Sequence, residues 1–350
     1  MSELKGLFTY EEILSQGQIW GKTIPTIMES LSVNCDWKER EYDEYLFIGC
    51  GSTHYLSSAV ASIWSIITKK NAHAFPSSEI WLYPKMCITT KNPALITISR
   101  SGETTETLNA MDVFKEITNK KNITISCYED SEMVKRSEFS LVAKDAWEKS
   151  IAQTRSFSSM FIAAQLFAGW FTGDNTFLAE LKKLPSLFED LLAKYKSLAK
   201  LLGENKKIQE FVFLGNGPYF GLAEECMLKM KEMSLSISQG FHLLEYRHGP
   251  MSVATENTLI IGMINSERQN EELSVLRNMK SLGATTLAIV DKGPQNRTGL
   301  DYIIEMNSGI SDVGRAILNL PILQLLSFYR AKANGLNPDE PKNLSSVVYL

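Results

Sequence analysis

The sequence has few cysteines, and none of them falls in a spacing that typically binds metals or builds disulfide frameworks. The five cysteines are an odd number with no CxxC pair and no regular interval: Cys35, Cys50, Cys87, Cys127 and Cys226. Disulfide-stapled scaffolds and zinc ribbons need paired cysteines at defined intervals. We therefore expect neither class of protein.

The sequence also lacks a surplus of positive charge and a long apolar run. It has 36 Lys and Arg residues against 40 Asp and Glu residues, which gives a formal net charge of −4. Such a balance predicts no general attraction to nucleic acid or to an anionic membrane surface. The start, MSELKGLFTYEEILSQ, has no apolar signal segment, and no later stretch gathers the roughly 18 apolar residues of a membrane span. We expect a cytoplasmic protein without nucleic-acid or membrane partners.

What is present is the length and composition of an ordinary globular protein. A chain of 350 residues suggests two domains at roughly 100–200 residues each. Hydrophobic residues make up 44% and charged residues 22% of the sequence, which excludes a disordered or fibrous protein. The chemistry must therefore be sought in motifs.

Three segments of the first half recur in the second half at an offset of about 164 residues. EYLFIGCGSTHYLSSAV at 44–60 is matched by EFVFLGNGPYFGLAEEC at 210–226, and the strand–turn–helix–strand pattern of 94–130 is matched at 258–292. An apolar helix at 156–171 is matched at 316–331. Self-similarity of this kind predicts two copies of one architecture.

Short β-branched runs alternate with helical patterns in both halves, which predicts βαβ units on parallel sheets. The fold class is therefore α/β, with a helical connector between the halves and an extended, proline-containing C-terminal tail. The predicted boundaries are a leader helix at 1–36, a first domain at 37–173, a connector at 174–206, a second domain at 207–335 and a tail at 336–350.

Two turns of the first half combine glycine with hydroxyl side chains directly after an apolar strand, GCGST at 49–53 and SRSGET at 99–104. In an open parallel sheet such turns place backbone N–H groups and helix N-termini at the ligand-binding edge. Neither turn is a nucleotide fingerprint, because the third glycine of GxGxxG is missing and no GxxxxGK[ST] occurs. The pattern favours a phosphate monoester held by neutral donors: Ser52, Thr53, Ser99, Ser101 and Thr104. The alternative, that these hydroxyls only cap helices, stays open.

The second half has lost these hydroxyls but has charged residues on one predicted helix. Glu225, Lys229 and Glu232 follow one another at i, i+4 and i+7, so they share a helix face. His248 lies in EYRHGP, a rigid turn next to Arg247. The functional interpretation is acid–base chemistry. The alternatives, a solvated charged stripe and a structural histidine, stay open.

Taken together, the motifs resemble the sugar isomerase (SIS) family of phosphosugar enzymes. The similarity is strongest to the isomerase part of glucosamine-6-phosphate synthase and to SIS-type glucosamine-6-phosphate deaminases. It covers nearly the whole chain, through EEILSQ, FIGCGST, SRSGETTET, EKSIAQTRSF, AEECMLKMKE, EYRHGP and PKNLSS in this order. The resemblance implies two tandem three-layer α/β/α SIS domains with mainly parallel, flavodoxin-like sheets.

The resemblance also implies a role for each motif residue. Glu232 matches the proton-transferring glutamate, Lys229 its supporting lysine, and His248 the ring-opening histidine, which in this family comes from the neighbouring subunit of a homodimer with shared active sites. No metal or other cofactor is implied. The implied substrate-binding residues are Gly51, Ser52, Thr53, Ser99, Arg100, Ser101, Thr104, Gln153, Glu225 and Ser346.

Two departures from the family pattern refine the expected activity. Only a short leader precedes the first SIS half, so we expect no glutamine-dependent synthesis. Ser346 stands where the family has a tail lysine that meets the sugar carbonyl, so either Lys342 substitutes or no Schiff base forms. We therefore expect an isomerase or deaminase that converts glucosamine 6-phosphate to fructose 6-phosphate and ammonia. The alternatives are a deglycase for fructosamine-type 6-phosphates and a non-catalytic sugar-phosphate sensor.

Overall fold

The structure is a computed structural model that describes residues 5–345. This part of the chain divides into two compact units. The N-terminal unit comprises residues 15–149, 153–185 and 345, and the C-terminal unit comprises residues 5–14, 150–152 and 186–344. Each unit contains one copy of the sequence repeat.

The first helix of the chain, α1 (Leu7–Leu14), belongs to the C-terminal unit. The N-terminal unit then alternates helices and strands: α2 (Gln16–Ser32), α3 (Cys35–Lys38), β1 (Glu44–Gly49), α4 (Ser52–Thr68), β2 (Ala72–Pro76), α5 (Ser77–Leu82), α6 (Pro84–Cys87), β3 (Pro93–Ser99), α7 (Thr105–Thr118), β4 (Ile123–Ser126), α8 (Glu132–Arg136), β5 (Phe139–Val142), a 3-10 turn (Lys144–Ala146), α9 (Arg155–Thr172) and α10 (Asn175–Leu181).

The C-terminal unit repeats this alternation after a long helix, α11 (Leu184–Glu204), whose first two residues belong to the N-terminal unit. Its elements are β6 (Glu210–Leu214), α12 (Pro218–Ser234), β7 (Ile237–Phe241), 3-10 turns at Glu245–Arg247 and Pro250–Val253, β8 (Thr258–Met263), α13 (Gln269–Ser281), β9 (Thr285–Val290), β10 (Tyr302–Glu305), a 3-10 turn (Ala316–Asn319) and α14 (Leu320–Ala333).

Each unit has one five-stranded sheet, and the two sheets share one strand order. The order is β2-β1-β3-β4-β5 in the N-terminal unit and β7-β6-β8-β9-β10 in the C-terminal unit. Every neighbouring pair is parallel. The topology reverses between β1 and β3 and between β6 and β8, which is where ligands bind in open parallel sheets. The predicted α/β fold, with two copies of a parallel, flavodoxin-like sheet, is confirmed.

The central strands are buried along their whole length because helices cover both faces of each sheet. This is why β1, β3 and β8 read as continuous apolar runs: all of their residues are buried. In the N-terminal unit, aromatic rings fill the space between sheet and helices. The centroids of Trp64 and Tyr45 lie 4.8 Å apart, and those of Trp64 and Phe167 lie 4.9 Å apart, spacings that favour tilted ring packing.

Helix α1 is held at both ends within the C-terminal unit. The Asp339 carboxylate accepts hydrogen bonds from the backbone N–H of Phe8 (3.3 Å) and Thr9 (2.7 Å), so the C-terminal tail caps the N-terminus of α1. Near the other end, the buried Glu12 carboxylate accepts from the Ser150 N–H at 3.3 Å. None of the helices between residues 5 and 345 has the length and apolar character required to cross a bilayer.

Candidate functional site

The turn after β1 is shaped by two glycines and closed by a threonine. Gly51 has a φ of +56°, which a side chain would strain, and a Cβ on Gly49 would lie 2.5 Å from the Thr53 backbone. The Thr53 hydroxyl accepts from the Cys50 N–H at 2.9 Å and donates to the Cys50 carbonyl oxygen at 2.9 Å. Thr53 therefore closes the turn with its hydroxyl, whereas the hydroxyl of Ser52, at the first position of α4, makes no hydrogen bond with another described residue.

The turn after β3 is built from its own serines and threonine. The Ser99 hydroxyl accepts from the Gly102 N–H at 3.1 Å and lies 3.2 Å from the Thr104 hydroxyl. The Ser101 hydroxyl accepts from the Glu103 N–H at 3.2 Å. Gly102 has a φ of +66°, and a Cβ there would lie 2.2 Å from the Ser131 hydroxyl. The result is a tight loop with three hydroxyls along its edge.

These two turns lie side by side because β1 and β3 are parallel neighbours whose carboxyl ends share one edge of the sheet. They lead into the N-termini of α4 and α7, and neither helix has a side-chain cap. The first-turn N–H groups therefore point toward this edge without a capping side chain. The hydroxyls therefore do not cap these two helices, as the alternative interpretation would require. Uncapped helix N-termini beside hydroxyl donors suit the binding of an anion.

Burial keeps the other titratable side chains of the first turn uncharged. It raises the pKa of the Cys50 thiol and lowers the pKa of the His54 imidazole, so both groups are neutral at pH 7. Cys50 is thus not activated as a nucleophile. The positive potential at these turns comes from the helix N-termini.

Arg100 lies in the middle of the second turn, but its guanidinium is paired within the protein. Only 7% of the residue is exposed, and Nη1 lies 3.5 Å from Oε2 of the buried Glu148. Glu148 Oε1 in turn accepts from the backbone N–H of Thr154 at 2.7 Å and from its hydroxyl at 2.6 Å, and Oε2 accepts from the Ser156 hydroxyl. This network was not predicted, because the sequence gives no signal for a partner 48 residues away.

Gln153 lies next to this network, directly before Thr154. Its side-chain oxygen is buried and has no hydrogen-bond partner in the part of the chain that the structure describes. A buried amide oxygen without a partner costs free energy unless a ligand or water supplies a donor. The Gln153 side-chain oxygen is therefore available to accept a hydrogen bond, which agrees with its predicted contact with substrate.

In the C-terminal unit, the predicted face of α12 is a buried charge cluster and not a solvated stripe. Glu225 is 0% and Lys229 1% exposed. The Lys229 ammonium lies 3.5 Å from Glu225 Oε1 and also pairs with Glu232 Oε2. The Glu232 side chain is 17% exposed. Of the two carboxylates in this cluster, that of Glu232 is therefore the one that reaches the surface of the unit.

The position of Glu232 follows from the way α12 ends. The helix stops at Ser234, and Leu235 adopts the left-handed conformation with a φ of +53°. A carboxylate in the last turn of a helix faces the negative end of the helix dipole. The Lys229 ammonium supplies the compensating charge, which leaves the Glu232 carboxylate held but accessible.

His248 is at the surface of the C-terminal unit. Its backbone N–H donates to the Glu245 carbonyl at 2.9 Å at the end of a 3-10 turn, and the following Gly249 has a φ of +123°. The residue is exposed, and its imidazole makes no hydrogen bond with another described residue. The catalytic role of His248 stays a prediction, with a structural histidine as its alternative.

The equivalent turns of the C-terminal unit keep the backbone shape but hold the protein's own carboxylates. Gly217 repeats the conformation of Gly51, with a φ of +56°. The Ser266 N–H donates to Asp312 at 2.8 Å, and the Asn265 N–H donates to Glu272 at 2.7 Å. Carboxylates thus occupy the place that an anion would take in the first half, a feature that the sequence did not reveal.

The remaining predicted positions lie in the tail. Lys342 is exposed, and Ser346 lies outside the described residues. Between residues 5 and 345 no group of three or more His, Cys, Asp or Glu side chains is placed to hold a metal ion.

The chain matches the family model of the SIS domain over residues 41–169 and 206–331. It is 26% identical over 370 residues to the glutamine–fructose-6-phosphate aminotransferase [isomerizing] of Francisella tularensis, covering 97% of this chain and 58% of that protein. It is 27% identical over 312 residues to the enzyme of the same name from Haemophilus ducreyi, covering 86% and 51%. The chain thus spans about half to three-fifths of these relatives.

Solved structures match over nearly the full length of both chains. Glucosamine-6-phosphate deaminase from Thermotoga maritima has a TM-score of 0.78 and 29% identity, with 98% of this chain and 99% of that chain covered. Tagatose-6-phosphate ketose/aldose isomerase from Escherichia coli has a TM-score of 0.86 and 20% identity, with 95% of each chain covered. At 20% identity, the similarity to the Escherichia coli isomerase shows a shared fold only.

Proposed function

We propose that this chain, which belongs to the SIS domain family, is a phosphosugar isomerase of the deaminating kind that converts glucosamine 6-phosphate to fructose 6-phosphate and ammonia. The observation that carries the proposal is the Glu225–Lys229–Glu232 cluster. It holds one accessible carboxylate against a buried lysine at the position of the family's base. The similarity to a glucosamine-6-phosphate deaminase over 98% of the chain, at 29% identity, supports the choice of substrate.

In this proposal the phosphate group is bound by the hydroxyl-rich turns of the N-terminal unit. The donors are the hydroxyls of Ser52, Ser99, Ser101 and Thr104 together with the N-terminal N–H groups of α4 and α7. Gly51 and Thr53 contribute by shaping the first turn. The Gln153 side-chain oxygen accepts a hydrogen bond from a sugar hydroxyl. The fully buried Glu225 acts through its pairing with Lys229 and not by the direct sugar contact that the family resemblance implies.

The reaction begins with opening of the sugar ring. His248 donates a proton to the ring oxygen and takes up the proton of the anomeric hydroxyl, which produces the open-chain aldehyde. An imidazole is suited to both transfers near neutral pH. By the resemblance to the family, His248 acts in the active site of a neighbouring copy, so the proposal includes a homodimer.

The isomerisation step moves one proton between adjacent carbons. Glu232 removes the C2 proton while O1 takes up a proton from solvent, which gives an enolamine with a double bond between C1 and C2. Glu232 then returns a proton to C1, and the amino group releases one proton to solvent. The product is an imine at C2. Water adds to this imine and both of its protons pass to the nitrogen, so that ammonia leaves and fructose 6-phosphate remains. No covalent lysine is required, which agrees with Ser346 in place of the family's tail lysine.

The location that we propose is the cytoplasm, where hexose 6-phosphates are produced by intracellular phosphorylation. All five cysteines are free in the structure, which fits a reducing compartment.

Incubation of the purified protein with glucosamine 6-phosphate, with ammonia and fructose 6-phosphate both measured, tests the proposal. Equal amounts of the two products are expected. Binding without turnover would instead favour a sugar-phosphate sensor. Release of an amino acid from a fructosamine-type 6-phosphate, with glucosamine 6-phosphate left intact, would favour a deglycase.

A further inference from the structure

The Arg100 backbone is fixed in the second hydroxyl turn by the neighbouring strand end. Its carbonyl oxygen accepts from the Ser126 hydroxyl at 3.2 Å and from the Cys127 N–H at 3.3 Å, both at the carboxyl end of β4. The turn therefore has a defined path before any ligand binds. The Arg100 side chain extends from this turn to pair with Glu148.

The buried Glu148 carboxylate accepts hydrogen bonds from residues at the start of α9. Its side chain is 0% exposed, and it accepts from the Thr154 N–H, the Thr154 hydroxyl and the Ser156 hydroxyl. These bonds fix the start of α9 and the loop that leads into it. Gln153, with its buried and unpartnered side-chain oxygen, is part of this loop.

A carboxylate at this depth needs a cation, because an unpaired buried charge costs far more than an exposed one. The cation at 3.5 Å is Arg100. Without it, the buried charge of Glu148 would have no compensating partner at this position, and the loop that bonds to it through Thr154 would move. The Arg100 guanidinium is therefore linked to Gln153 through Glu148 and Thr154.

From this geometry we infer that Arg100 is a positioning residue: it acts through Glu148 to place the Gln153 loop beside the hydroxyl turns, and it is not a ligand of the substrate phosphate. The inference rests on the proposed function for the identity of the substrate. It corrects the transfer of a substrate-binding role to Arg100 that the family resemblance implies.

The two roles of Arg100 are separated by a double-mutant cycle of Arg100→Gln and Glu148→Gln. If Arg100 is a positioning residue, each single variant raises the KM for glucosamine 6-phosphate by roughly 10-fold, because one buried partner is left unpaired. The double variant has a neutral amide pair and returns to within about 3-fold of the wild type. A phosphate ligand would behave differently: the double variant would keep the full defect of Arg100→Gln.

A control variant and the double variant by itself distinguish the possible outcomes. Arg136→Gln, which removes a guanidinium paired with Asp112 at the surface of the same unit, controls for the loss of one positive charge and is expected to leave KM unchanged. If Arg100→Gln fails to fold, the KM of the double variant alone distinguishes the two roles of Arg100, because the double variant also lacks the guanidinium. A wild-type protein that does not bind glucosamine 6-phosphate would overturn the proposed function. Normal wild-type activity with no rescue in the double variant would overturn the role of Arg100 alone.

Discussion

At the residue scale, the chemistry depends on which carboxylate of α12 can reach a substrate. Glu225 and Glu232 both pair with Lys229, but only Glu232 retains an exposed fraction, 17% of its side chain. A base that must touch two neighbouring carbons has to be accessible and able to rotate. Glu225 meets neither requirement, since it is fully buried.

Replacement of Glu232 by Gln is expected to lower kcat by about 10²–10⁴-fold, because the amide keeps the shape and hydrogen bonding of the side chain but cannot take a proton. KM should change little. Steady-state kinetics with glucosamine 6-phosphate measure both values, and Glu224→Gln on the same helix is the matched control. Full activity of the Glu232→Gln variant would exclude Glu232 as the base and would contradict the burial argument against Glu225.

Glu224 itself gives a prediction about stability and pH. Burial raises the pKa of its carboxyl from 4.5 to about 7. Between pH 4.5 and about pH 7 the folded chain holds a proton on Glu224 that the unfolded chain has released. The contribution of Glu224 to the free energy of unfolding therefore falls as the pH rises through this range. Glu224→Gln should therefore stabilise the protein more at pH 8 than at pH 5, by on the order of 1 kcal/mol after allowance for solvent screening.

Urea unfolding of wild type and Glu224→Gln at both pH values measures this difference. Glu256→Gln, at an exposed position, is the control and should give the same small change at pH 5 and pH 8. A Glu224→Gln effect that does not depend on pH would contradict a buried, protonated carboxyl.

At the scale of elements, the difference between the two units lies in what fills the turns at the topological switch points. The N-terminal unit has hydroxyls and uncapped helix N-termini there. In the C-terminal unit, Asp312 and Glu272 accept from the corresponding N–H groups. Burial raises the pKa of Glu272, and the N–H donors of Asn265 and Asn216 act in the opposite sense. A second phosphate would have to displace these carboxylates.

The double variant Ser101→Ala, Thr104→Ala should weaken binding of glucosamine 6-phosphate by about 1.5–3 kcal/mol for each charge-assisted hydrogen bond that is lost. Isothermal titration calorimetry measures the change. Ser266→Ala, in the equivalent turn of the C-terminal unit, is the matched control, because its hydroxyl already donates to Asp312 at 2.8 Å. Equal affinity of the Ser101/Thr104 variant and the wild type would exclude this turn as the phosphate site.

The sequence was sufficient to predict the α/β fold and its repetition, because the repeat and the apolar strands are local signals. Gly49 and Gly215, for example, stand at the same strand end in each repeat, and each makes room for the first turn of its helix. The partners of the site residues could not be predicted in this way. Arg100 and Glu148 are 48 residues apart, and Ser266 and Asp312 are 46 apart, so only the folded chain identifies these pairs.

At the scale of the whole molecule, the proposed mechanism needs two copies of the chain. His248 is exposed, with no hydrogen bond from its imidazole to a described residue, which fits the implied role in a neighbouring subunit. A shared site of this kind makes each active site a composite of residues from both chains.

Complementation between inactive variants tests this arrangement. His248→Ala and Glu232→Gln homodimers are each expected to be nearly inactive, whereas an equal mixture, after subunit exchange, should recover up to about a quarter of the wild-type activity, because half of the dimers then contain one intact site. The mixture of His248→Ala with itself is the control. No recovery in a mixture shown to contain heterodimers would place His248 and Glu232 of the same chain in one site.

The most direct test of the central claim is the reaction of glucosamine 6-phosphate in D₂O, followed by nuclear magnetic resonance together with an ammonia assay. The wild-type protein should release one ammonia per fructose 6-phosphate, with solvent deuterium at C1 of the product wherever the proton on Glu232 has exchanged. The Glu232→Gln variant should form product and exchange the C2 proton of the substrate at least about 100-fold more slowly. Absence of both ammonia and fructose 6-phosphate with the wild type, or undiminished C2 exchange with Glu232→Gln, would contradict the account.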